Sequence, residues 1–143
     1  MSNPIDDALC LLTSAERAEL NFIQPLYEDI LRKKFDSLGV TDLAPLFAYL
    51  LMEYVEMSAG DKSKDAAYFR KIMVYHFKDE GEHFYKVLVG IFVELFTRFQ
   101  DIEMSIIKIA ALVTAMTFIN ETPSELVKIE NGQIYFRRVR TIS

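Results

Sequence analysis

The chain has 143 residues, 51% of them apolar, with only five Gly and four Pro, which excludes a disordered or low-complexity protein and fits one domain with a real core. Its formal net charge of −5 is unevenly spread: residues 1–125 carry 12 basic against 20 acidic groups, whereas residues 126–143 carry Lys128, Arg137, Arg138 and Arg140 against Glu130 alone. An acidic body repels phosphate backbones, so any nucleic-acid role rests on that basic end.

The single Cys10 excludes an intrachain disulfide and suits a reducing compartment. Flanked by Leu9, Leu11 and Leu12, it reads as a buried structural thiol. Asp6 and Asp7 stand where a signal peptide would be basic. The most apolar segments, 87–96 and 106–119, fall short of the ~18–20 residues that span a bilayer and contain Glu94 and Lys108. A cytoplasmic protein without a membrane span is expected.

In chain order, Asn3-Pro4 followed by two acids opens a short helix ending near Leu12. Thr13-Ser14-Ala15-Glu16 is a capping-box pattern for a second helix. Its apolar stripe reads Ala15, Ala18, Phe22, Ile23, Leu26, Ile30 and Leu31. Pro25 predicts a kink or two abutting helices, Arg32–Lys34 complement the last turn, and Gly39 stops the helix. Thr41 or Asp42 caps a third helix with Pro45 in its first turn and a stripe of Leu43, Leu46, Phe47, Leu50, Leu51, Tyr54 and Val55.

A polar loop over 58–64 leads to a helix with Phe69, Ile72, Met73, His76 and Phe77 on one face. Lys78–Glu82 reads as a helix end and restart, with Gly81 the stop. The helices over 83–100 and 101–119 are apolar nearly all round, which predicts a central helical hairpin, or a surface shared with a second copy. Glu94 is expected to pair with Arg98 or Lys108.

The chain ends in LVKIE-NG-QIYFRRVR. Asn-Gly between two alternating runs is the strongest short-range hairpin signal, because a type I′ turn needs positive φ at both central residues. A two-residue loop sets Ile129 opposite Ile134, Val127 opposite Phe136 and Glu125 opposite Arg138 on an apolar face. Lys128 then faces Tyr135, and Leu126 faces Arg137. The apolar face should dock on the helices, since an isolated hairpin is marginal in water, and the arginines either protect an edge strand or meet an acidic partner.

Chemistry is sparse. His76, Glu80 and His83 would share one face of an unbroken helix, and Glu80-Gly-Glu-His83 has the spacing of carboxylate–imidazole metal ligands. No second such motif accompanies it, so no metal and no cofactor are expected. Glu53 and Glu56, like Glu16 and Glu19, fit a solvated helix face. Tyr49 and Met52 fall opposite the Leu46/Leu50 stripe, among residue types enriched at interfaces.

The expected fold is mainly α: a compact bundle of five to six helices, with two near-fully apolar central helices and a C-terminal β-hairpin. It forms a single domain with a helical body over 1–122 and the hairpin over 123–143. The expected function is a non-enzymatic, homodimeric interaction module acting as a regulator, adaptor or assembly factor. Its partner contacts are expected on Tyr49, Met52, Glu56, Lys128, Arg137, Arg138 and Arg140. The alternatives are nucleic-acid binding through the basic hairpin and a metal-dependent enzyme using His76, Glu80 and His83.

Overall fold

The computed structural model describes residues 4–60 and 65–137. Among them are helices α1 (Pro4–Cys10), α2 (Ser14–Leu38), α3 (Ala44–Ser58), α4 (Ala66–Phe77), α5 (Gly81–Arg98) and α6 (Met104–Glu121), followed by strands β1 (Val127–Glu130) and β2 (Gln133–Phe136). Short 3-10 turns at Thr41–Leu43 and Lys78–Glu80 lead into α3 and α5. The protein is mainly α with a small antiparallel hairpin. Asn3, residues 61–64, Arg138 and Arg140 lie outside the described residues.

The start of α2 is the capping box: Thr13 Oγ1 accepts from the Glu16 N–H at 3.1 Å and Glu16 Oε1 accepts from the Thr13 N–H at 2.9 Å. Those hydrogen bonds hold the Glu16 carboxyl below its ordinary range. At the other end Gly39 takes φ 68° and closes the helix in the left-handed conformation. Between them α2 is one helix of 25 residues, not two. Pro25 is exposed beside an exposed Asn21, so water can solvate the carbonyl that the missing N–H leaves free.

The buried stripe of α2 is Leu20, Ile23, Tyr27, Leu31 and Phe35, which corrects the sequence expectation: Ala15, Ala18, Phe22 and Leu26 face solvent. Arg32–Lys34 also lie earlier than the last turn and act sideways instead. Arg32 pairs with Glu28 and Glu121, Lys33 with Asp29, and Lys34 with Glu94. The Glu94 partner is thus neither Arg98 nor Lys108. The start of α3 differs too: neither Thr41 nor Asp42 caps it, because the 3-10 turn runs directly into Ala44.

The central pair is α3 with α6, not α5 with α6. Every residue from Ala44 to Glu53 is buried, and α6 buries Ile106, Ile107, Ile109 to Ala111, Thr114 to Met116, Phe118 and Ile119. α2 packs on the other side of α6, while α5 packs mainly on α4 and buries only Gly81, Leu88, Ile91 and Leu95. Among the described residues, α6 is the one helix long and apolar enough to cross a membrane by length and composition, and here half of it is core.

The α4–α5 turn occurs where expected, but Gly81 is not its stop. Lys78 carries the positive φ (52°), and Gly81 is the buried first residue of α5. A Cβ on Gly81 would sit 2.5 Å from Val74 Cα, so close helix approach is what requires glycine there.

Candidate functional site

The hairpin has the register that its sequence implies: Val127 pairs with Phe136, Lys128 with Tyr135, Ile129 with Ile134 and Glu130 with Gln133. Asn131 (φ 53°) and Gly132 (φ 76°) both take positive φ, and the Arg137 N–H donates to the Leu126 carbonyl at 2.8 Å. Val127 is fully buried against α3 and α6. Phe136 meets Tyr49 of α3 on one side and stacks near His76 of α4 on the other, with ring centroids 5.0 and 6.4 Å apart.

This docking carries Arg137 to the exposed side of α4. Tyr75 is 46% exposed and packs edge-on against His76, with the Lys78 ammonium 5.5 Å over its ring. Lys71 precedes Tyr75 by one turn and is exposed, as is Arg137 beside Phe136. Lys78 stands over the Tyr75 ring, and both Lys78 and Arg137 bear on His76 beside it, so Tyr75, Lys78 and Arg137 form a ridge that crosses from α4 to the hairpin, with Lys71 one turn before Tyr75. His76 lies half-buried beneath it, and burial first, then the charges of Arg137 and Lys78, hold its imidazole below the usual histidine range. Its Nε2 has no hydrogen-bond partner among the described residues.

On the outer face of the hairpin, Lys128 pairs with Glu130 at 2.8 Å, which raises the lysine pKa, and Tyr135 stands 44% exposed beside it. Arg137 and Lys128 are therefore at the surface as expected. Tyr49 and Met52 are not on an outer face: both are buried, because β1 and β2 close over one side of α3 and α6 covers another. Glu53 is buried as well, and the Tyr68 hydroxyl donates to its Oε1 at 3.5 Å, so it belongs to no solvated face.

Glu56 is half-buried in a cleft of about 350 Å³ walled by Leu11, Leu12, Ile109 and Leu112, with Lys108 at its edge. Cys10 is exposed, not buried; α1 turns Ala8 and Leu9 toward the core and leaves the thiol outside. His76, Glu80 and His83 do not share a helix face, since they fall in α4, in the 3-10 turn and in α5 with the positive φ of Lys78 between. Among the described residues no three His, Cys, Asp or Glu side chains are gathered to hold a metal ion.

Tyr75 and Lys78 escaped sequence reasoning, although Lys71 and Tyr75 at i and i+4 mark one helical face; Lys78 follows the last residue of α4 and stands over the Tyr75 ring. Compared with protein-family models, curated proteins and solved structures, the chain matches none.

Proposed function

We propose that the chain is a non-enzymatic, cytoplasmic interaction module, a regulator, adaptor or assembly factor that works as a homodimer and takes an acidic partner segment on the α4–hairpin ridge. The observation that supports this reading is the Tyr75–Lys78–Arg137 grouping. An aromatic ring nearly half exposed, with the Lys78 ammonium over its face, contributes little to the core and matches the composition of contact residues. Carboxylates of a partner meet Lys71, Lys78 and Arg137, while its backbone or an apolar side chain lies on Tyr75. The otherwise acidic body rejects partners that miss the ridge.

Single-stranded nucleic acid would use similar chemistry, with bases stacked on Tyr75 and phosphates on the cations. The acidic body opposes it. Fluorescence anisotropy at low salt with a labelled oligoglutamate peptide and a labelled oligothymidylate separates the two. The acidic peptide is expected to bind, with affinity reduced about tenfold by Arg137→Glu. Stronger binding of the oligothymidylate would move the assignment to nucleic acid, and binding of neither probe would overturn the ridge as a contact site.

A further inference from the structure

α2 carries two apolar stripes, and the described residues bury only one. Leu20, Ile23, Tyr27, Leu31 and Phe35 face inward. On the opposite side Ala15, Ala18, Phe22, Pro25 and Leu26 are all exposed, Phe22 by 72% and Leu26 by 43%. A single exposed Phe is ordinary, but a continuous apolar row over three turns is an interface signature. The row flanks a cleft of about 370 Å³ between α2 and α5, walled by Leu26, Ile30, Lys34, Glu94 and Arg98 among others. Val93 of α5, next in sequence to the cleft residue Glu94, stands 54% exposed.

We infer that this face binds the same face of a second copy of the chain, antiparallel, about a two-fold axis near Leu26. Charge placement selects that occupant. Glu19 lies seven residues before Leu26 and Lys33 seven after it, and both are exposed. An antiparallel arrangement sets Glu19 against Lys33 of the second copy at each end, whereas a parallel one sets like charges together. The same axis puts Phe22 opposite Ile30 of the second copy, at the cleft, so each copy supplies a knob and a hole, as an isologous contact requires. The Lys33–Asp29 pair within one chain is exposed on both sides and does not prevent this exchange.

Area sets the strength. A 25-residue helix is about 37 Å long and some 11 Å wide, giving about 400 Å² of face per copy. A stable interface needs about 800 Å² per partner, so the flank with Val93 must contribute and the dimer should dissociate in the micromolar range. The inference rests on the homodimer of the proposed function and assigns its face.

Sedimentation velocity of the full chain over roughly 5–200 µM tests it. Wild type is expected to pass from monomer to dimer in that range. Phe22→Glu, a surface change checked for native circular dichroism, is expected to weaken the dimer by at least about 30-fold, as loss of a central aromatic does. Glu19→Lys and Lys33→Glu should each weaken it and the double variant restore it. A wild type monomeric throughout overturns both the face and the homodimer. A dimer indifferent to Phe22→Glu and to the charge swap overturns the face alone.

Discussion

The Tyr49 ring of α3 meets the Phe136 ring of β2 edge to face, with centroids 5.0 Å apart and an angle of 74° between planes. That contact, with the fully buried Val127, fastens the hairpin to the helical body and removes Tyr49 from the surface. It also fixes where Arg137 emerges, so the geometry of the ridge depends on the packing beneath it.

Phe136→Ala is therefore expected to cost about 2 kcal/mol, less than the 3–5 of a fully buried Phe because this ring is half-buried. A double-mutant cycle with Tyr49→Ala should return about 1 kcal/mol of coupling. Tyr135→Ala, on the outer face, should fall within about 0.5 kcal/mol of wild type. Urea denaturation measures all three. Equal losses for Phe136→Ala and Tyr135→Ala would mean that the ribbon is not docked by this face.

Two glycines in one helix should respond with opposite signs. An Ala at position 81 puts its Cβ 2.5 Å from Val74 Cα and 2.7 Å from Val74 N, both backbone atoms that cannot turn aside. Gly81→Ala should destabilise by about 3 kcal/mol through forced separation of α4 and α5. A Cβ at Gly90 meets nothing within 4 Å, and the position is exposed mid-helix. Gly90→Ala should stabilise by about 0.5–1 kcal/mol, from helix propensity alone. Thermal denaturation of the pair decides; a shared sign would contradict the α4–α5 approach.

What could be read from the chain followed from how local the determinant was. The hairpin register and the Thr13–Glu16 box depend on neighbours within a few residues, and both stand in the structure as expected. The stripe of α2 did not, because Phe22 and Leu26 are as apolar as Leu20 and Tyr27, and periodicity cannot say which of two faces the fold covers. The centrality of α3 was missed for a related reason. Its Glu53 and Glu56 made it look amphipathic, yet α6 and the hairpin enclose it, while the more uniformly apolar α5 packs mainly on α4 and only lightly on α3 and α2. Of the ridge, Arg137 was legible as charge; Tyr75 and Lys78 lie about 60 residues earlier in the chain and join it only through docking.

His76 makes stability depend on pH. Its imidazole is held below the ordinary 6.5 by burial and by the positive Arg137 and Lys78. The unfolded chain therefore binds the proton more readily, so the stabilisation is full above pH 6.5 and is lost as pH falls through the folded value. Carboxylates with ordinary pKa values titrate below about pH 5, which leaves the interval above that to histidine. Unfolding free energy should decline from pH 7.5 to pH 5, and His76→Gln should flatten that slope. Arg137→Gln should reduce it. A slope unchanged in His76→Gln would place the titrating group elsewhere.

Two buried hydroxyls mark positions where the native sequence is not the most stable one. Tyr27 Oη and Thr114 Oγ1 are enclosed without a hydrogen-bond partner among the described residues, and burial raises the Tyr27 pKa well above that of a free phenol. A buried hydroxyl without a partner costs about 1–3 kcal/mol of lost hydration. Tyr27→Phe keeps the stack on Phe99, whose centroid is 6.3 Å away, and removes only the oxygen. Thr114→Val exchanges the hydroxyl for a methyl of similar size in the middle of α6. Each should stabilise by about 1 kcal/mol, or about 3–5 °C in Tm for a chain of this length. Calorimetry on the single variants is the measurement. A lowered Tm in either would mean that its hydroxyl is satisfied in solution, and with it that the core around α2 and α6 is less dry than this packing implies.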